Sequence, residues 1–205
     1  MEIEPHARRG THFSMIREFH LADFVTLANG GCGVIAIFFS LTFANSGSDR
    51  CIYTASALVV LALAFDVLDG NIARWRHQSS VLGRELDSLA DVISFGVAPA
   101  AIAYAVGLNT VLDSLSLIFF TLCGLSRLAR YNVTAESLSL AGKVRYFEGT
   151  PIPTSVVPLG VLVLAFHFDA LWPVEIAGLH YHLVALPFVL SGCLMISKTL
   201  RIPKP

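Results

Sequence analysis

The chain has 205 residues, of which 55% are hydrophobic and 14% charged, with a mean hydropathy of +0.68 and a formal net charge of −1. Soluble domains carry about 25% charged residues, so this composition excludes an ordinary soluble globular protein. The near-zero net charge gives no electrostatic basis for nucleic acid as a partner.

Met1 to Arg17 is polar and basic, with neither an apolar core nor a cleavage site, so no removable signal peptide is expected. A short polar segment of about residues 1–20 therefore leads into a single membrane domain, within one unit spanning 1–205. Crossing a bilayer takes about 17–25 apolar residues. The sequence predicts six such segments, at 23–44, 51–73, 86–107, 111–131, 152–169 and 179–197. The predicted fold is all-α, a polytopic membrane protein with six transmembrane helices. No internal repeat and no Pro/Ser-rich linker divides it.

Within the first span, Gly30, Gly31 and Gly33 are expected to allow close helix packing. The fifth begins among Pro151, Pro153 and Pro158, which the first turn of a helix tolerates, with Thr150 or Thr154 as a candidate cap. Cys32, Cys51, Cys123 and Cys193 show no metal-binding spacing and read as small hydrophobes. His180 and His182 flank Tyr181 near one membrane face, and with Trp75 and Trp172 they read as residues of an interfacial belt.

Basic residues sort by side. With six spans and a cytoplasmic Met1, thirteen of the fourteen fall on the cytoplasmic side: Arg8, Arg9, Arg17, Arg74, Arg76, Arg84, Arg127, Arg130, Lys143, Arg145, Lys198, Arg201 and Lys204. Arg50 alone lies opposite, beside Asp49. The positive-inside rule therefore puts both termini, and the loop between the second and third spans, in the cytoplasm.

Asp66, Asp69, Asp87 and Asp91 stand out against this apolar background. A carboxylate at the centre of a membrane helix costs about 2.5–3.5 kcal/mol, so four facing lipid would cost roughly 10–14 kcal/mol. They must face one another across a polar site. Helical spacing puts Asp66, Asp69, Gly70 and Ala73 on one stripe of the second span, and Gly83, Asp87 and Asp91 on one stripe of the third. The short connection from Trp75 to Leu82 turns the two stripes towards each other.

Oxygen-only ligands suit hard cations such as Mg²⁺, Mn²⁺ or Ca²⁺. Four carboxylates match the charge of two divalent ions, and paired metals about 3.5–4 Å apart form a clamp for in-line displacement at phosphorus. Gly70, Ala73 and Gly83 leave room for close approach of a phosphate-bearing ligand, and Arg74 offers a guanidinium suited to phosphate. Buried ion pairing is a poorer explanation, because the nearby cations, Arg74, Arg76 and Arg84, number one fewer than the acids. A cation or proton path, or a non-enzymatic carrier of divalent cations, would also use intramembrane acids. Neither accounts for the glycine–alanine–arginine pattern.

The spacing D-x2-D-G-x2-A-R-x8-G-x3-D-x3-D, eight fixed residues over 26 positions, resembles the signature of the CDP-alcohol phosphotransferases. Three further segments narrow the resemblance: His20 to Asn29, Cys123 to Thr134, and Phe147 to Ser155. Together they are similar to the integral-membrane CDP-diacylglycerol–serine O-phosphatidyltransferases, the fungal ones above all. The resemblance covers about residues 13 to 200.

It implies a homodimer, six membrane helices and a site opening to the cytoplasm, in the endoplasmic reticulum of a eukaryote or the cell membrane of a prokaryote. Two Mg²⁺ or Mn²⁺ ions per site would be held by Asp66, Asp69, Asp87 and Asp91, with Asp91 also the general base. Asp69, Gly70, Ala73, Arg74 and Gly83 would bind CDP-diacylglycerol. The acceptor would be L-serine, or another alcohol such as inositol or glycerol 3-phosphate. A zwitterionic acceptor needs a cation for its carboxylate and a partner for its ammonium. Arg127 and Arg130 share one helix face and, with Asn132, Lys143 and Glu148, are the candidates for serine or phosphate. Lys143 and Arg145 are equally read as anchors that snorkel to the interface.

Overall fold

The computed structural model describes residues 21–76, 81–139, 146–176, 178–197 and 201–203. Helix α1 (Leu21–Ser46) ends at Gly47, whose φ of +64° gives the left-handed cap that glycine adopts without strain. Its N–H closes on the Phe43 carbonyl at 2.8 Å. So short a link sends α2 (Asp49–Arg76) back along α1, and the two helices pack along their length. Helix α3 (Val81–Asp91) continues through a π-helical turn, Val92–Val97, into α4 (Ala98–Ala105). Pro99, which has no N–H to return to the preceding turn, follows directly after that wider coil.

Helix α5 (Val111–Ser139) opens on a capping box. The Thr110 hydroxyl accepts from the Asp113 N–H at 3.3 Å, and Asp113 Oδ2 accepts from the Thr110 N–H at 3.3 Å. A 3₁₀ turn, Ile152–Ser155, leads into α6 (Val156–His167), and another, Leu183–Ala185, into α7 (Leu186–Ile196). Strand β1 (Tyr146–Glu148) pairs antiparallel with β4 (Arg201–Pro203), while β2 (Pro173–Ile176) and β3 (Leu179–His182) form a hairpin.

Among the described residues, four stretches are long and apolar enough to cross a membrane: Asp23–Ser46, Asp49–Asn71, Leu82–Ala105 and Val111–Thr134. They make the chain an integral membrane protein. The fifth and sixth apolar helices, Ile152–His167 and Leu183–Ile196, are shorter. At 1.5 Å per residue they span about 24 and 21 Å, against a hydrocarbon core of about 30 Å. Both shortfalls have a local cause. Prolines 151 and 153 hold the entry to α6 extended and then 3₁₀, and the residues predicted to begin the sixth span, 179–182, are taken up by β3. Neither predicted threonine caps α6. Thr154 Oγ1 donates to the Pro151 carbonyl at 2.7 Å, and the buried Thr150 hydroxyl has no partner among the described residues.

The core runs between the helices through Phe95, Ile102, Phe120, Ile152, Leu162, Phe188 and Met195, all fully buried. Phe120 and Phe188 meet edge to face, centroids 5.3 Å apart, where α5 crosses α7. Large apolar side chains such as Phe38, Leu41, Leu122 and Val157 point outward, as a lipid solvent permits.

His182 differs from the belt role predicted for it. It is buried, its Nδ1 stands 2.7 Å from Asp113 Oδ2, and its backbone N–H donates to Asp113 Oδ1 at 3.0 Å. The pair fastens the hairpin to the start of α5. His180, two residues earlier on the same strand, is exposed. Burial rises along β3, so that its last two residues, Tyr181 and His182, are buried where the hairpin meets α5.

Candidate active site

The site lies where α1, α2 and α3 meet. Asp66 and Asp69 come from the last turns of α2, and Asp87 and Asp91 from α3, as the helical spacing predicts. Ligand oxygens of Asp66, Asp69 and Asp87 all lie within 4.8 Å of one another. Asp69 and Asp91 are buried, and Asp66 and Asp87 partly so. Asp91 stands outside that tightest group, one turn deeper on α3, and accepts a 3.3 Å hydrogen bond at Oδ1 from Asn29 Nδ2. On the other wall, Thr26 Oγ1 donates to Asp69 Oδ2 at 2.9 Å.

Helix α1 therefore supplies a polar face that sequence reasoning missed. Asp23, Thr26 and Asn29 recur every three residues on a helix that is otherwise mostly apolar, and all three are buried. That spacing was the available signal. The face can reach the acids because α1 and α3 approach closely. A Cβ on Gly30 would stand 3.4 Å from the Ala90 Cβ, and one on Gly33 would come within 2.8 Å of the Ser94 Cα. Gly31 faces open space instead, so two of the three glycines predicted to aid packing do so here.

Whether the acids can hold cations is a question of donor chemistry. The donors are all oxygen, they converge within 4.8 Å, and Asp87 Oδ1 is buried with no hydrogen-bond partner among the described residues. An orphaned buried carboxylate oxygen is costly, and a hard divalent cation is the partner that such a set fits.

Arg127 reaches the site from α5. It is partly buried, interacts electrostatically with Asp91 and Asp66, and holds its guanidinium 5.6 Å from the Tyr131 ring centroid. Arg130 is also partly buried. Asn132 is already engaged: its Nδ2 donates to Glu85 Oε2 at 3.2 Å and to Ser88 Oγ at 3.0 Å, tying α5 to α3. Gly70 and Gly83 lie partly exposed on α2 and α3, and a Cβ added at Gly70 would meet nothing within 4 Å. Packing among the described residues therefore does not demand glycine at Gly70. Ala73 and Arg74 belong to the last turn of α2, but their side chains lie outside the described residues, as does that of Glu148; Lys143 and Arg145 lie outside them altogether.

The chain is similar to known proteins over most of its length. A family model described as CDP-alcohol phosphatidyltransferase matches residues 19–191. A Saccharomyces cerevisiae protein named CDP-diacylglycerol–serine O-phosphatidyltransferase is 46% identical over 95% of this chain and 74% of its own length. A Bacillus subtilis protein of the same name is 33% identical over 78% of this chain and 84% of its own. An archaetidylserine synthase of Methanothermobacter thermautotrophicus is 34% identical over 74% of this chain and 60% of its own. With the match spanning all four aspartates and most of the chain, this protein belongs to the CDP-alcohol phosphatidyltransferase family.

Proposed function

We propose that the chain is a CDP-diacylglycerol–serine O-phosphatidyltransferase, which moves the phosphatidyl group of CDP-diacylglycerol to the hydroxyl of L-serine and releases CMP. The observation that carries the reading is the convergence of Asp66, Asp69 and Asp87 within 4.8 Å between two membrane helices. The names of the relatives support the acceptor. The fungal and bacterial relatives share one name and the archaeal one is named for a different lipid, yet serine is common to all three names.

Asp66, Asp69, Asp87 and Asp91 would hold two divalent cations, Mg²⁺ or Mn²⁺. Bound there, such ions neutralise the donor's pyrophosphate and stabilise the leaving CMP. The chain's own residues do the rest. Asp69, Gly70, Ala73, Arg74 and Gly83 bind the cytidine diphosphate, with the open space at Gly70 admitting it. Asp91 takes the proton of the serine hydroxyl as that oxygen attacks the phosphorus nearest the diacylglycerol. The new P–O bond forms as the bond to CMP breaks, which yields phosphatidylserine.

Arg127 is the foremost candidate to receive the serine carboxylate, because it already couples to Asp91 and Asp66. Arg130, Lys143 and Glu148 complete the candidate acceptor site, whereas Asn132 is held by Glu85 and Ser88. Six membrane segments, with α6 and α7 as short fifth and sixth, keep both termini and the site on the cytoplasmic side. The thirteen-to-one distribution of basic residues supports that orientation. The protein works as a homodimer, in the endoplasmic reticulum membrane of a eukaryote or the cell membrane of a prokaryote.

An acceptor panel tests the reading. Purified protein is given CDP-diacylglycerol and Mn²⁺ or Mg²⁺ with serine, inositol or glycerol 3-phosphate in turn. CMP release that requires serine is the expected result. Release with another acceptor and not with serine would transfer the assignment to that alcohol.

A further inference from the structure

Asn29 is fully buried, yet its carboxamide is only half satisfied. Nδ2 donates to Asp91 Oδ1 at 3.3 Å, while Oδ1 has no partner among the described residues. A buried amide acceptor left unpaired costs free energy that leucine, of the same branched skeleton, would not. Packing alone therefore does not account for asparagine at this position.

The backbone beneath Asn29 is held as firmly as the side chain. Ser94 Oγ, from the π-helical turn that follows Asp91, donates to the Asn29 carbonyl at 2.9 Å. Gly30 and Gly33 let α1 sit against Ala90 and Ser94, with no room for a side chain on Gly33. Asn29 is thus clamped against the segment that carries Asp91, and its Nδ2 occupies one of the two Asp91 oxygens. A π-helical turn within an α-helix often marks a functional position, and here it carries the serine that braces Asn29.

We infer that Asn29 is a positioning residue, which holds Asp91 Oδ1 so that Oδ2 is the oxygen presented to the acceptor hydroxyl. The inference rests on Asp91 being the general base. Asn29 acts through Asp91 and does not itself bind donor or acceptor. Its loss should slow the chemical step while leaving both substrates bound as before.

The test uses the purified full-length protein with CDP-diacylglycerol, serine and Mn²⁺, and compares wild type, Asn29→Leu and Asp91→Asn. Leucine keeps the branched four-atom skeleton and removes the donor. The expected result is a fall in kcat of about 100-fold for Asn29→Leu, with the KM values for serine and CDP-diacylglycerol and the thermal midpoint close to wild type. Wild-type kcat in Asn29→Leu, or a loss confined to KM, overturns the inference. If Asn29→Leu does not fold, Ser94→Ala replaces it, with a several-fold loss of kcat at unchanged KM expected and an unchanged kcat contradicting. Asp91→Asn separates the two claims. Full activity there removes the base assignment itself, whereas an inactive Asp91→Asn beside a normal Asn29→Leu removes only the role of Asn29.

Discussion

Thr26 and Asp69, 43 residues apart, meet across the α1–α2 seam, with the threonine hydroxyl donating to the aspartate at 2.9 Å. The first helix thereby becomes a wall of the acidic site as well as a membrane anchor. Hydrogen bonds to a charged acceptor contribute about 1.5–3 kcal/mol, enough to fix a ligand carboxylate's orientation. Thr26→Val keeps the shape and removes the donor. The metal concentration for half-maximal activity should rise by about tenfold, as the loss of a partner behind a metal ligand commonly does. A metal titration of activity checks this.

Metal and charge should pull stability in opposite directions. Without cations, Asp66, Asp69 and Asp87 crowd like charges into one pocket, so Asp87→Asn should raise the thermal midpoint of metal-free protein. The same substitution should abolish the rise that Mn²⁺ gives to wild type, since stabilisation by a ligand requires its site. Thermal unfolding in EDTA and in Mn²⁺, for both proteins, reads out the two signs without any assay of turnover.

The tie between Asp113 and His182 lies at the far end of α5 from Arg127 and serves the fold. Asp113→Ala strands the Thr110 hydroxyl and both nitrogens of His182 that face the carboxylate. Each buried hydrogen-bonding group left without its partner costs about 1–3 kcal/mol. The expected phenotype is a lower thermal midpoint with near-normal kcat in the molecules that remain folded, measured on the same preparation.

Two neighbouring glycines should respond unequally to alanine. At Gly33 the new methyl would meet the Ser94 backbone, whereas at Gly31 it meets nothing within 4 Å. Gly33→Ala should destabilise by about 1–3 kcal/mol, the usual cost of overpacking, and reduce activity by displacing α3. Gly31→Ala should be neutral or slightly stabilising, because alanine is the better helix former. Parallel melts of the two variants test the difference.

What the sequence made legible follows from periodicity and cost. The four aspartates could be read because charge in an apolar run is expensive, and helical spacing alone put them on two facing stripes. The register between α1 and α3 could not be read that way. It depends on the Gly30–Ala90 and Gly33–Ser94 approaches, which join residues about sixty positions apart and leave no local pattern. Thr26 and Asn29 did leave a local pattern, a polar residue at every third position from Asp23, but their partners Asp69 and Asp91 could be named only from the fold. His182 was misjudged because a strand, and not a helix, delivers it to Asp113. The sixth segment was overextended because hydropathy does not register the hairpin that takes up residues 179–182, whereas the fifth begins at Ile152 as expected and ends at His167.

The central claim is that these buried acids carry out phosphatidyl transfer, with Asp91 accepting the proton. Serine-dependent CMP release by purified Asp91→Asn, compared with wild type at saturating Mn²⁺ and with binding of CDP-diacylglycerol measured on the same samples, tests it most directly. The account predicts turnover lowered by about 10²–10⁴-fold, the usual contribution of a general base, while the donor still binds. Wild-type turnover by Asp91→Asn would contradict it.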